Sequence, residues 1–431
     1  MSEWNAGYVA DIDYTFGYYG ELNPARLRLP FLLAGLVPPK IETACELGFG
    51  QGLSINFHAA ASSVQWSGTD FNPAQAGFAQ AVAEASGSGA LLADQSFAAF
   101  SARADLPDFD FIALHGIWSW IAEEHRREIV EFLGRKLKVG GVLYISYNTL
   151  PGWSGFAPMR HLLSSHAASA AQPGAGTLGG VAGALDFAEK LLALNPGFAA
   201  AYPQMKPRFE KLRTLNAHYV AHEYFNRHWL PTYFSEVEAA LGEAKLSFAG
   251  SAHYLDHVPG LNLSAEQQTF LDGIADTVLR QTVYDFIINQ QFRRDYFVRG
   301  ARRLVTHERA RLLRAERVLL TTHRPDVPAK VRAARGEGSL TEAVYKPVLD
   351  LLADHKPRSI GQIEKELGGK PGFAMLLEAI LVLIGAGHVA PAQDDAAAAK
   401  AKRVTDRLNA WVIRRSAEGG EVGYLASPAT G

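Results

Sequence analysis

Eleven residues, Thr43-Ala-Cys-Glu-Leu-Gly-Phe-Gly-Gln-Gly-Leu53, constrain this chain more than any other stretch. A short apolar run meets an acid, Glu46, and then gives up its side chains at Gly48, Gly50 and Gly52. Leu53–Ala61 follows as a predicted helix. Strand, glycine turn and helix form the opening unit of a doubly wound sheet, whose ligands sit beyond the carboxyl ends of the strands. A side chain in such a turn would obstruct the ligand or the positive φ. The spacing then narrows the ligand. A dinucleotide fingerprint needs glycine three positions after Gly50, where Leu53 stands, and the Gly-Lys-Ser/Thr of a phosphate loop is missing. Glu46 places a carboxylate where a phosphate loop would avoid one. A cationic, phosphate-free ligand such as S-adenosylmethionine suits the motif better, although a purely structural turn fits the glycines alone about as well.

The strands that follow corroborate a ligand site. Val64–Gly68 is the second predicted strand. Asp70 lies 22 positions beyond Gly48, near the offset of about 20 at which an acid meets ribose hydroxyls. Phe71 stands beside it, and Asn72-Pro73 opens the next helix. Ala90–Ser96 reads as a third strand ending at Asp94 and Gln95, where an adenine amino group needs an acceptor; a plain loop turn fits these two nearly as well. Phe109–Leu114 is a fourth strand running into His115-Gly116-Ile-Trp118-Ser-Trp120. A lone histidine there is more often structural, but one crowded with a glycine and two tryptophans reads as a ligand surface. A helix over Glu124–Leu137 and a fifth strand through Tyr147 complete the pattern. Five strands alternating with helices predict an α/β fold, a Rossmann-like doubly wound and mostly parallel sheet. Upstream, Tyr14, Tyr18 and Tyr19 belong to an aromatic segment that either lids the ligand or packs on the sheet.

Bulk properties exclude several classes. The 431 residues suffice for two or three domains, and 48% hydrophobic with 20% charged residues is an ordinary globular balance. A formal net charge of -2 gives no global push towards nucleic acid or membrane. One cysteine, Cys45, excludes a disulfide framework or a thiolate-rich metal site. The first residues do not resemble a secretory signal, and the most apolar run, Leu376–Ala386, is too short to span a bilayer, so a cytoplasmic protein without membrane insertion is expected.

The Glu46–Gly52 loop, the Asp70 strand, His115-Gly-Ile-Trp-Ser-Trp120 and Ser146-Tyr-Asn-Thr-Leu-Pro-Gly-Trp153 together resemble the class I methyltransferases that carry a methyltransferase regulatory domain. That group includes bacterial protein-lysine methyltransferases of the rickettsial outer-membrane-protein type. Phe49 departs from the family, where a small residue or Cys is usual. The likeness continues through His222–Phe234 and Asp285–Arg294. It implies S-adenosylmethionine as cofactor, S-adenosylhomocysteine as product, a protein substrate and a homodimer. Cofactor contacts are expected from Tyr14, Tyr18, Glu46, Gly48, Phe49, Gly50, Gly52, Asp70, Phe71, Asp94, Gln95, His115 and Gly116. Trp118, Trp120 and Tyr147 are expected as aromatic walls for the reacting cation, with His115 and Asn148 as polar partners. The alternatives are a small-molecule or glycan acceptor, or a regulator that binds the cofactor without catalysis.

Four regions are expected: a cofactor domain over residues 1–160, a mainly helical substrate or dimerisation domain over 161–330, a winged-helix-like module over 331–392, and a linker, helix and frayed tail over 393–431. Ala167–Gly183 reads as a mobile small-residue loop. His222, Glu223 and His228 miss the H-E-x-x-H spacing, so no metal is expected. Arginines 293, 294, 299, 302, 303, 309, 311, 314 and 317 alternate with aromatic residues and read as the solvated side of amphipathic helices, not as a nucleic-acid patch. The third helix of the terminal module likewise lacks a basic face for a DNA groove.

Overall fold

The computed structural model describes residue 12 and residues 16–169 and 176–431. Its centre is a seven-stranded sheet in the order β3-β2-β1-β4-β5-β7-β6. The strands are β1 (Thr43–Leu47), β2 (Gln65–Asp70), β3 (Leu91–Asp94), β4 (Phe109–Leu114), β5 (Leu137–Asn148), β6 (Leu246–Ser251) and β7 (Phe292–Arg299). The first five are parallel, while β7 runs antiparallel to both β5 and β6. Helices α1 (Leu53–Ala61), α2 (Pro73–Ser86) and α3 (Glu123–Lys136) make the crossovers. Local chemistry fixes their ends. For α2, Pro73 supplies the first turn, the Asn72 side chain accepts from Ala74 N, and Gly87 closes the helix at φ 67°.

Side-chain alternation splits the sheet into two cores. Cys45, Leu47, Ile112, Leu114, Leu143, Ile145 and Tyr147 pack on the α3 side. Ala44, Phe111, Ala113, Val142 and Tyr144 pack with Ile55, Ala76 and Ala79 of α1 and α2 on the other.

Between β5 and β6 lies a helical layer: α4 (Leu150–Trp153), α5 (Ala157–Ser169), α6 (Gly176–Ala193), α7 (Met205–Arg213) and α8 (Ala217–Tyr224). It has its own core around Trp153, Phe156, Leu163, Ala184, Phe209 and Tyr224. The small-residue segment expected to be a loop is helical at Ala167–Ser169 and Gly176–Gly183; residues 170–175 fall outside the described residues. The correction has a packing reason: Val181, Ala184 and Ala188 are buried in that core, where small side chains let helices approach closely.

The arginine region also differs from expectation. Phe292–Arg299 is a strand, not a helix. Arg293 is buried beneath it, bonded to Asp295 at 2.7 Å and to Asp285 at 2.6 Å, the latter on α9 (Thr277–Ile288). On the opposite face Arg294 bonds Glu21 at 2.5 Å. Arginines with interior carboxylate partners mimic an amphipathic helix surface when only composition is visible.

In the terminal module, β8 (Arg317–Leu320) pairs with β9 (Arg358–Ser359) and β10 (Val389–Pro391). It carries α10 (Glu342–Leu351), α11 (Ile360–Glu366) and α12 (Phe373–Gly385). The three expected helices are present. The arm expected as a hairpin over Gly385–Ala390 instead contributes β10 to a strand far upstream. Helix α13 (Asp395–Ala417) packs Leu408 and Val412 onto Leu53, Phe57 and Val82. The tail expected to fray folds back, with Gln393 Nε2 donating to the Pro428 carbonyl at 2.8 Å. Among the described residues no helix is long and apolar enough to cross a membrane.

Candidate active site

The tips of β1, β2 and β4 open into a cleft of about 1400 Å³ that continues under the helical layer. At one end is the glycine loop. Gly48 has φ 73°, and a Cβ there would come within 2.3 Å of Ile117 Cδ1. Gly50, at φ 57°, leaves room for a Cβ, which would stand 3.9 Å from Gln75 Oε1, and it donates its N–H to Asp70 Oδ2 at 2.8 Å. Asp70 Oδ1 accepts from Asn72 N at 2.9 Å. The acid at the second strand tip thus braces the turn at the first, which is why the two belong 20-odd residues apart. Gly52, at φ 67°, serves packing instead: a Cβ would meet Ala79 Cβ of α2 at 2.5 Å.

Two acids face this end. Glu46 is 3% exposed, and its Oε2 is buried without a hydrogen-bond partner among the described residues. Burial, then the Asp70 charge, holds the Glu46 carboxyl well above the usual range. Burial pushes Asp70 up to about 6, against the two backbone donors that favour its ionised form. An unpartnered buried acceptor is costly unless a ligand satisfies it. No lysine or arginine stands in the loop from Glu46 to Leu53. The donor set therefore fits a group carrying positive charge and hydroxyls, and disfavours phosphate.

His115 closes the floor at the tip of β4. Its Nδ1 lies 2.9 Å from Tyr144 Oη, and its ring stacks on Tyr19 with centroids 4.0 Å apart. Burial lowers its pKa to about 4, so the imidazole is neutral. Gly116 N donates to Ser146 Oγ at 2.9 Å. Phe49, Phe71, Gln95 and Gly116 also line the cleft, as do Ser96, Phe97 and Ile117.

Of the residues singled out in sequence, Glu46, Gly48, Phe49, Gly50, Asp70, Phe71, Gln95, His115, Gly116, Trp120 and Asn148 converge on this cleft. Trp120 Nε1 and Asn148 Nδ2 are buried there without partners among the described residues. Five others stand elsewhere. Tyr18 packs on Phe57, His58 and Tyr424, leaving Tyr19 at the cleft. Gly52 faces α2. Asp94 is exposed at the end of β3, outside the lining. Trp118, 3% exposed, is in the α3-side core. Tyr147 points to that same side and donates to Asp295 at 2.7 Å, because strand alternation sends Tyr147 and Asn148 to opposite faces. Tyr14 lies outside the described residues.

The far end of the cleft went unread as a site in the sequence. It is walled by Pro151–Phe156, Tyr202, Arg208 and Lys211, and by Tyr219, His222, Glu223 and Tyr224 of α8. Trp153 meets Trp229 at 5.1 Å and Tyr224 at 5.9 Å between centroids. The Arg208 guanidinium covers Trp153 at 4.2 Å. The only local signal was the aromatic density of Trp153 and of His222–Phe234.

A sheet of this order, with the antiparallel strand β7 set between β5 and β6 and an acid–glycine turn at the β1 tip, has the class I methyltransferase fold. Comparison with known proteins agrees. Residues 216–299 match the family described as a predicted methyltransferase regulatory domain. The uncharacterized protein sll1526 of Synechocystis is 40% identical over 435 residues, covering 99% of this chain and 85% of that one. The uncharacterized protein RP789 of Rickettsia prowazekii is 26% identical over 308 residues, 67% of this chain and 53% of its own. The solved structure of PKMT2 from Rickettsia typhi in complex with AdoHcy superposes with a TM-score of 0.66 at 21% identity, covering 88% of this chain and 77% of that one. The chain belongs to the family of class I methyltransferases that carry the methyltransferase regulatory domain.

Proposed function

We propose that the protein is an S-adenosylmethionine-dependent methyltransferase acting on protein lysine. The observation that carries the cofactor is Glu46: a buried carboxyl group with an oxygen unpartnered among the described residues, in a glycine turn whose own sequence holds no Lys or Arg, suits a positively charged ligand. That the similar PKMT2 structure was solved with AdoHcy supports the same reading. Bound S-adenosylmethionine would supply an electrophilic methyl on sulfur.

The chain's own residues do the rest by binding and placement. Glu46 and Asp70 hold the cationic and ribose portions, and Gly48 and Gly50 let the ligand lie against the backbone. Neutral His115 holds its hydrogen bond to Tyr144 and leaves the cofactor end without added positive charge. Trp120 and Asn148 offer an indole N–H and an amide N–H₂ towards the reacting groups. The helical layer and the terminal module present the acceptor protein. At about 1400 Å³ the cleft exceeds the roughly 300–1000 Å³ of a single small-molecule site, leaving room for a second reactant.

Calorimetry with S-adenosylmethionine, NAD and ATP, followed by mass spectrometry of proteins incubated with labelled cofactor, tests this. Saturable heat with the first ligand alone and label on lysine is expected. Uptake of NAD or ATP instead would overturn the cofactor, and label confined to small molecules or glycans would overturn the acceptor.

A further inference from the structure

Glu223 is the acid that the cofactor end does not use. It projects from α8 into the far end of the cleft. Burial pushes its carboxyl up to about 7, and among the described residues no charge offsets it. Arg208 and Lys211 are the cations of this end, and among the described residues neither forms an ion pair with Glu223. Burial, then the charges of Glu223, Tyr224 and Tyr19, raise the Tyr219 phenol, which gathers those four into one cluster. Tyr19 in turn stacks on His115, so the cluster reaches the floor of the cofactor end. Arg208 lies over the Trp153 and Phe156 rings and donates to the Gly152 carbonyl at 3.2 Å. Lys211, His125 and His222 also line the cleft.

An acid with no ion-pair partner among the described residues, in a chamber walled by aromatic rings, is suited to a ligand that brings its own cation, because carboxylate and ring faces both attract an alkylammonium. We infer that Glu223 binds the ammonium group of a primary amine on the methyl acceptor and takes a proton from it. This rests on the methyl-transfer reading above. In the first step an N–H bond breaks, its proton passes to a Glu223 oxygen, and the electron pair stays on nitrogen. That pair then forms the N–C bond as the C–S bond breaks, its electrons remaining on sulfur as a thioether. The product methylammonium sheds a proton on release. A carboxyl that titrates near neutrality is matched to this exchange.

The test uses the full chain saturated with S-adenosylhomocysteine and two probes, N-acetyl-lysine methylamide and its norleucine counterpart, which lacks the amine. Wild type should bind the lysine probe about tenfold more tightly at pH 8, as expected for a charge-assisted bond, and the preference should shrink towards pH 6 as Glu223 takes up a proton. Glu223→Gln should abolish the preference and its pH dependence, and Glu223→Asp should keep part of both, with S-adenosylhomocysteine affinity unchanged in each. A preference that survives in Glu223→Gln, or wild type that binds the cofactor product and treats the two probes alike, overturns the role of Glu223 while the cofactor reading stands. Failure to bind S-adenosylhomocysteine at all would overturn both.

Discussion

The two ends of the cleft are built from different materials. The cofactor end is backbone and strand tips: glycines at positive φ, an acid braced by two N–H groups, a histidine held by β5. The far end is side chains converging from α4, which stands well upstream in the chain, and from the neighbouring helices α7 and α8. A site made by backbone conformation demands particular residues at fixed spacing, so it can be read locally. A site made by converging side chains has no such grammar. The division also separates energetics, since the first kind ties ligand binding to local strain and the second to packing.

The largest expected effect tests where the boundary between site and core falls. Trp118 sits in the α3-side core, so Trp118→Ala should lower unfolding free energy by about 3–5 kcal/mol. Cofactor affinity of the folded protein should hold within about twofold. Denaturant unfolding beside calorimetry checks this, and the reverse result, intact stability with lost affinity, would put Trp118 back in the cleft wall. Glu46→Gln should do the opposite. Losing a charge-assisted contact should weaken S-adenosylmethionine by about 10–100-fold. Unfolding free energy should stay or rise, because a buried charge-capable group is gone.

These contrasts show what was legible. The five strands alternating with helices in a mostly parallel sheet, the Glu46–Gly52 turn and the Asp70 offset follow from spacing rules with a backbone cause. The split between Tyr147 and Asn148 was also available, since adjacent strand residues face apart, but recognising Ser146–Trp153 as one motif hid it. β7 was not legible: Arg293 and Arg294 read as surface because Asp285, Asp295 and Glu21, which neutralise them, arrive from elsewhere in the chain. Glu223 was weighed only as a metal ligand. Its isolation inside an aromatic chamber exists only after α4, α7 and α8 have packed together.

A third, smaller contrast lies within the glycine loop. Gly50 and Gly52 share a positive φ, but only Gly52 has a neighbour, Ala79, in the way of a Cβ. Gly50→Ala should therefore destabilise by about 1 kcal/mol from strain alone, and Gly52→Ala by at least about 2 kcal/mol, adding the forced separation of α1 and α2. Thermal unfolding of the pair measures the difference. Equal losses would show that the α1–α2 contact is not what Gly52 serves.

The smallest effect is a dependence on pH, and its two signs oppose. Asp70 is raised from 3.8 to about 6 in the folded state, chiefly by burial. Its contribution to folding is therefore fully present below its unfolded value and is lost as the pH rises through about 6. Glu46, held well above the usual carboxylate range by burial and then by the Asp70 charge, acts in the same direction. Cofactor binding needs the ionised acids to accept hydroxyls and oppose the positive charge, so affinity should grow over the interval in which the free protein loses this part of its stability. Between pH 7 and pH 5, S-adenosylmethionine affinity should fall about tenfold, one unit below a group titrating near 6. In Asp70→Asn it should be weaker throughout and flatter, with the residual slope belonging to Glu46. Wild-type affinity that stays level across that range would mean that neither acid changes charge while the ligand binds, and the backbone-built end of the cleft would then owe its selectivity to shape alone.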